Sequence, residues 1–324
     1  AANSTTRKRN TSSAGTSWRE WGRSGIGAAD VAGILGLSPW ASPVSVWASR
    51  IDDHADDHDN DAMEFGRRAE VMVGPWFADR TGLTVAGEQA RCTHRDDTWK
   101  LCTVDGFVLD GPNSDIGDAL GVLEIKTTGD SAADWADEVP VHYRCQATWA
   151  MHVTDLPRCW FAVLHLAFGR PRFEVYEFER DAAEEAFVVD TCTRFWHDHV
   201  TTGHPPAVDG HSATTDAIKA HWPTAEGSLE VDALTRRMCD RIRAHKATAK
   251  LIEANIAEAE NELRAALGDR EALVDGTGKV LASWKPQSTA RLDGKALKAA
   301  RPDIATEYTT TTTTRVLRVK NLEE

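Results

Sequence analysis

No stretch of the 324 residues approaches the ~20 consecutive apolar residues that a membrane-spanning helix needs. The N-terminal stretch lacks the apolar core of a secretory signal, so the expected location is cytoplasmic, with no membrane partner. Cysteine is sparse and scattered: residues 92, 102, 145, 159, 192 and 239 include no C-x-x-C pair. That spacing counts against a disulfide framework, a thiolate metal site and an iron–sulfur cluster, and leaves reduced, mostly buried thiols. No repeat of 20–50 residues is present, which excludes a solenoid. Gly276-Thr277-Gly278-Lys279 lacks the full phosphate-loop frame and sits between two short strand patterns, so it reads as a hairpin turn. His197 and His199 lack the i, i+4 spacing of a helical zinc pair.

A positive excess is missing as well. The formal net charge is −13, but charge placement, not its sum, decides whether a chain can hold nucleic acid. Asp52, Asp53, Asp56, Asp57, Asp59 and Asp61 concentrate acid in one segment that reads as a solvated loop. Residues 279–320 do the opposite. Lys279, Lys285, Arg291, Lys295, Lys298, Arg301, Arg315, Arg318 and Lys320 face only Asp293, Asp303 and Glu307, a local balance of +6.

Hydrophobic residues make up 41% of the chain, enough for a packed core. Residues 1–17, rich in Ser, Thr and Asn around Arg7-Lys8-Arg9, read as a disordered basic tail. A helix is expected from Ala28 to Leu35, stopped by Gly36. Another is expected from Met63 to Arg80, kinked or broken at Gly74-Pro75. Strand patterns follow near 85–95, 99–109 and 119–127, then a helix carrying Tyr143 and Gln146. Strands at 160–166 and 173–178 are joined by a turn at 168–171. A helix capped by Asp181, with Glu184 in the capping-box position, runs to about Val200. These elements predict an α/β (α+β) core over 18–205, a mixed central sheet flanked by helices. Residues 206–227 read as a linker. Residues 228–324 should form a long amphipathic helix ending at Gly268, a hairpin at 273–284, a short helix near 293–300 and a Thr-rich strand at 306–320.

The chemistry concentrates in Thr103-Val104-Asp105-Gly106 and Val122-Leu123-Glu124-Ile125-Lys126. Alternation along a strand puts Glu124 and Lys126 on one face, with Leu123 and Ile125 on the other. A carboxylate and an ammonium on an otherwise apolar strand are costly unless paired or bound to something. If the preceding strand ends at Asp105, two carboxylates meet, and a divalent cation relieves their repulsion. Oxygen ligands favour magnesium or manganese. Such a cation polarises a phosphate and lowers the pKa of a water, while Lys126 orients or helps deprotonate that water. Glu-x-Lys by itself supports no more than a surface pair. Glu70, on a helix lined by Ala69, Val73, Trp76 and Phe77, can face the sheet as a further metal-site carboxylate, and Gln146, mid-helix, adds to it in order and spacing.

At these residues the chain resembles the PD-(D/E)XK nuclease superfamily, and within it the lambda exonuclease/YqaJ-type viral recombinases. The resemblance spans roughly 18–205. It rests on Trp18 through Gly25-Ile26-Gly27-Ala28-Ala29-Asp30, Phe65-Gly66-Arg67-Arg68-Ala69-Glu70, Thr103 to Phe107, Leu123 to Lys126, and Tyr143 to Gln146. It implies a restriction-endonuclease-like fold and a metal held by Asp105, Glu124 and the Ile125 carbonyl, with Lys126 serving the water and Glu70 and Gln146 completing the site. It also implies digestion of linear duplex DNA from a 5′ end, a ring-shaped trimer and a single-strand annealing protein as partner. A phage-encoded chain would act in the host cytoplasm. The pattern is altered at Val104, usually Pro, at Gly22, usually Arg, at Ala29, usually Ser, and at Thr148, usually Gln. Arg23 and the N–H groups of Gly27, Ala28 and Ala29 are then expected to bind the 5′ phosphate, with Thr103 and Tyr143 also on the DNA. Two rivals share these residues: an endonuclease of restriction or repair type, and a non-catalytic DNA-binding or annealing protein.

Overall fold

The computed structural model describes residues 17–51, 61–129, 135, 138–166 and 171–320. The basic tail (Ser17 apart), the acidic segment up to Asn60 and most of the 168–171 turn lie outside the described residues. The chain divides into two compact units, Ala1–Trp222 and Pro223–Glu324.

The first unit begins with α1 (Trp18–Arg23), α2 (Val31–Ile34, preceded by one tight turn at Ala28–Asp30), α3 (Pro43–Ile51) and α4 (Asp61–Thr81). Strands β1 (Thr84–Ala86), β2 (Ala90–Thr93), β3 (Leu101–Val104), β4 (Gly106–Leu109) and β5 (Gly121–Thr128) follow. Then come α5 (Val141–Thr154), β6 (Arg158–His165), β7 (Arg172–Glu179), α6 (Ala182–Phe195) and α7 (Ser212–His221). Five strands form one mixed sheet in the order β1-β4-β5-β6-β7, and β2 with β3 make a separate ribbon. Only β5 and β6 run parallel, and α5 is the crossover between them. This is the mixed central sheet with flanking helices that the sequence predicts.

Strand alternation sorts the core into two layers. Leu123 and Ile125 of β5 pack with Ala69, Val73 and Phe77 of α4. Val122 faces the other way, with Ala147, Ala150 and Met151 of α5. Glu124 and Lys126 share that second face by the same two-residue period. Gly121 at the head of β5 has no room for a side chain, since a Cβ there would lie 2.3 Å from the Arg158 carbonyl oxygen. Gly121→Ala should therefore force β5 and β6 apart and destabilise the unit by about 1–3 kcal/mol or more, read by urea unfolding. An unchanged midpoint would contradict the packing.

Several expectations are corrected. The helix does not break at Gly74-Pro75: Pro75 sits inside a single helix, and the carbonyl it deprives belongs to Val71, a residue 80% exposed, where water can take the place of the lost donor. The run 99–109 is two strands split at Asp105, and 85–95 splits at Gly87–Gln89, both of positive φ. Asp181 caps α6 as expected, but the Glu184 side chain turns to Arg144 instead of closing the box. The segment read as a linker contains α7, which packs on α3 and is fastened by a Thr214–Ser42 hydroxyl bond of 2.7 Å.

In the second unit α8 (Ala233–Leu267) ends at Gly268, whose φ is +59°, as the pattern predicts. Its apolar residues Leu251, Ile252 and Ile256 stay more than half exposed. A hairpin pairs β8 (Ala272–Val274) with β9 (Val280–Ser283), and Asp275 Oδ1 accepts from the N–H groups of Thr277 and Lys279 to close the turn. Two short helices complete the unit, α9 (Gly294–Ala300) and α10 (Pro302–Glu307). The Thr-rich strand is absent: among the described residues 309–320 join no β-ladder, and β propensity without a neighbouring strand makes no strand.

Candidate active site

Asp105 stands at the corner where the β2–β3 ribbon hands the chain to the sheet. Gly106 permits the corner, since a Cβ there would come within 2.5 Å of Val85 Cγ1. The β4–β5 ladder stops at Gly106–Leu123. The Asp105 carboxylate then takes the next N–H of β5, with Ile125 donating to Oδ2 at 2.7 Å. A strand residue's N–H and C=O point to the same side, so the Ile125 carbonyl also faces Asp105.

Glu124 is 1% exposed. Its Oε2 accepts from Lys126 Nζ at 3.0 Å and from Gln146 Nε2 at 2.6 Å. Gln146 Oε1 in turn accepts from Lys126 at 3.1 Å, which fixes the amide's orientation. Glu124 Oε1 is buried with no hydrogen-bond partner. An unsatisfied buried carboxylate oxygen is expensive, and a cation is what would satisfy it. Burial pushes the Glu124 carboxyl up; Lys126 opposes this and Asp105 adds to it, leaving a pKa of about 7. Burial also raises Asp105. For Lys126 burial opposes the charge, but Glu124 and Asp105 outweigh it and hold the ammonium above the ordinary lysine range. Lys126 is thus a cation at neutral pH, suited to orienting water and offsetting phosphate charge rather than to taking a proton. Its Nζ lies 5.1 Å from the centroid of the Tyr143 ring.

Glu70 reaches the corner from α4, on the opposite face of the sheet. Between it and Asp105 stands Gln89, whose Nε2 donates to Glu70 Oε2 at 2.6 Å and to Asp105 Oδ1 at 3.1 Å. Burial, then the charge of Asp105, push Glu70 up to about 7. Gln89 holds φ at +54°, a conformation that non-glycine residues adopt at some expense and that clusters at functional sites. The sequence reading missed it. A lone Gln after Gly-Glu carries no periodic signal, although Gly87 beside it marks the turn. A cleft of about 500 Å³ opens on this side, walled by Val71, Pro75, Leu83 and Val85 and rimmed by Glu70 and Asp105. A larger one, about 820 Å³, lies along β7 by Arg80 and Arg172 and holds none of these groups.

A divalent cation fits the donors present. Among the described residues no three His, Cys, Asp or Glu side chains converge as a full cage. Asp105, Glu124 and the Ile125 carbonyl supply three hard oxygens, and magnesium characteristically takes few protein ligands and keeps its waters.

The expected 5′-phosphate residues are not drawn into this arrangement. Arg23 ends α1, half-buried, and Thr103 lies in register with Arg91 on the ribbon. The Gly27 N–H donates to Asp30 Oδ2 at 2.7 Å, Ala28 is buried, and Asp30 is ion-paired with Arg50. The turn before α2 thus carries its own carboxylate where the phosphate was expected, and like charge counts against a second anion there. The Tyr143 ring, by contrast, lies beside the Lys126 ammonium.

Two carboxylates and a lysine meet where the central strand β5 passes the Asp105 corner, the set on which the resemblance to PD-(D/E)XK nucleases rests. More narrowly, residues 17–157 match the profile of the YqaJ-like viral recombinase domain. It is 29% identical over 290 residues to the uncharacterized protein YqaJ of Bacillus subtilis (strain 168), covering 87% of this chain and 86% of that one. Among solved structures it is similar to the alkaline exonuclease LHK-Exo of Laribacter hongkongensis, crystallised with dAMP. That likeness is 19% identical with a TM-score of 0.45, over 57% of this chain and 92% of that one. It is also similar to a phage related exonuclease of Haemophilus somnus 129PT, at 10% identity and a TM-score of 0.41, over 55% and 96% of the two chains. Among the described residues no helix is long and apolar enough to cross a membrane.

Proposed function

We propose that the chain is a divalent-metal-dependent deoxyribonuclease that digests linear duplex DNA from its ends, leaving 3′ single strands for recombination by annealing. The observation that carries this reading is the buried, unpartnered Oε1 of Glu124 beside Asp105 and Lys126. Magnesium or manganese, held by Asp105, Glu124 and the Ile125 carbonyl, supplies Lewis-acid charge to the scissile phosphate when bound. The chain's own residues do the rest. Gln146 locks Glu124 and Lys126 in one geometry, Lys126 orients the attacking water and offsets phosphate charge, and Glu70 borders the water's side of the corner. The 5′ polarity, the ring trimer and the annealing partner follow from the family resemblance, with Arg23 at the phosphorylated end. Lys285, Arg291, Lys298, Arg315 and Arg318 lie in the +6 segment and would hold duplex phosphates.

Digestion of one plasmid, linear and closed circular, with magnesium or with chelator, tests this. Nucleotides should be released from the linear form in magnesium alone, and the circle should survive. Cutting of the circle would assign the endonuclease rival. No release from either form would leave only a DNA-binding protein.

A further inference from the structure

Trp40 is 67% exposed, a large apolar ring left in water on the same face as the site. It is not on a loose loop. Ser38 Oγ accepts from the N–H groups of both Trp40 and Ala41 at 3.1 Å, and the next residues lead directly into α3. Its ring meets His142 edge-on at 5.2 Å and Tyr143 at 6.4 Å, and Tyr143 is stacked from behind by buried Trp135 at 5.4 Å. Tyr143 is also the ring beside the Lys126 ammonium. A backed, rigid aromatic row therefore runs from the group that handles the phosphate to an open indole face.

We infer that Trp40 is a stacking platform for an unpaired base of the strand being cut, next to the scissile phosphate. The inference rests on the nuclease reading above and names how the substrate is held. To bring its backbone to Asp105 and Glu124, a terminal nucleotide must leave its neighbour in the duplex, which costs stacking energy. An aromatic face restores that stacking without regard to sequence, because every base has a π-face. The contacts from Lys126 through Tyr143 to Trp40 put the platform within one or two nucleotides of the cut.

The test is binding of a duplex with a short 5′ oligothymidylate tail, measured by fluorescence anisotropy on the full chain. Calcium serves as the divalent ion, since its looser coordination favours occupancy over turnover. Trp40→Ala should weaken binding roughly tenfold, and Trp40→Phe should recover most of it. A single abasic nucleotide walked along the tail should weaken the wild type at one or two positions and have no further effect there in Trp40→Ala. Abasic effects that are uniform along the tail, or that persist in Trp40→Ala, would overturn the platform. So would a Trp40→Ala loss that follows a change of sedimentation, which would make the ring a subunit contact. The abasic scan on wild-type protein decides the matter even if the alanine variant does not fold. Absent magnesium-dependent release by wild type would sink the nuclease reading separately, whatever the scan shows.

Discussion

Replacing Lys126 by alanine should reduce magnesium-dependent nucleotide release by ~10²-fold or more, and in chelator should leave a protein distinctly less stable at pH 8 than at pH 6. The two effects have one cause. Lys126 is the cation that keeps the buried Glu124 carboxylate ionisable, through a 3.0 Å contact. Without it, burial and Asp105 act unopposed, and the folded pKa of Glu124 climbs beyond about 7. A folded pKa above the unfolded value means the native state binds the extra proton, so stability falls as pH rises from the ordinary glutamate range toward that higher pKa. At pH 6 Glu124 is protonated in the variant and the loss is modest. At pH 8 folding must either bury a bare carboxylate or hold a proton against the solvent. Removing one partner of a buried pair characteristically costs about 3–5 kcal/mol. Thermal melts at the two pH values check the stability effect, and release of labelled nucleotide checks activity. A folded Lys126→Ala protein with wild-type turnover would remove Lys126 from the site.

Magnesium or manganese should raise the melting temperature of the wild type, and by more at pH 8 than at pH 6. Glu70 and Glu124 are both pushed up to about 7. Below that pH protons occupy the oxygens a cation needs, so binding must expel them. Above it the carboxylates are bare and mutually repelling, Glu124 buried and Glu70 half-buried, and a cation neutralises that charge. Saturation at a hundredfold excess over the dissociation constant adds about 2.7 kcal/mol to native stability. Asp105→Asn should abolish most of this shift while retaining the acceptor for the Ile125 N–H, so the corner survives without its ligand charge. Differential scanning fluorimetry across pH and metal concentration reads it directly. An Asp105→Asn protein with the full shift would place the cation elsewhere.

Much of this site is legible from strand alternation. Glu124 and Lys126 share a face because β5 is regular, and Gln146 lies opposite because α5 is the crossover that covers that face. The corner at Asp105 is harder to see, because 99–109 reads as one strand pattern and the break sits where Gly106 passes too close to Val85 for any side chain, a tertiary contact. Gln89 is invisible for a related reason: its role depends on a backbone turn that brings it between Glu70 and Asp105, residues far apart in sequence. The helix start at Gly27–Ala29 misleads in the opposite sense. Counting its free N–H groups ignores Asp30, three residues on, which claims one of them. Around 206–227 the scattered prolines and glycines hide α7, whose ten residues are held by Ser42, just before α3, and by Trp47 of α3.

Gln89 immediately precedes β2 and Asp105 immediately follows β3, and the ribbon's register sets Ala90 against Val104. The two side chains are therefore rooted together at one end of a short, stiff lever. At the far end Lys100 forms a bridge with Ile26, and the Trp99 carbonyl accepts from Ile26 N–H at 2.8 Å, next to the turn that leads into α2. The Asp105 carboxylate is held from both sides, by Gln89 on the ribbon and by the Ile125 N–H on the sheet, so its place beside Glu124 is set jointly by β5 and by a ribbon whose far end rests on the turn that leads into α2.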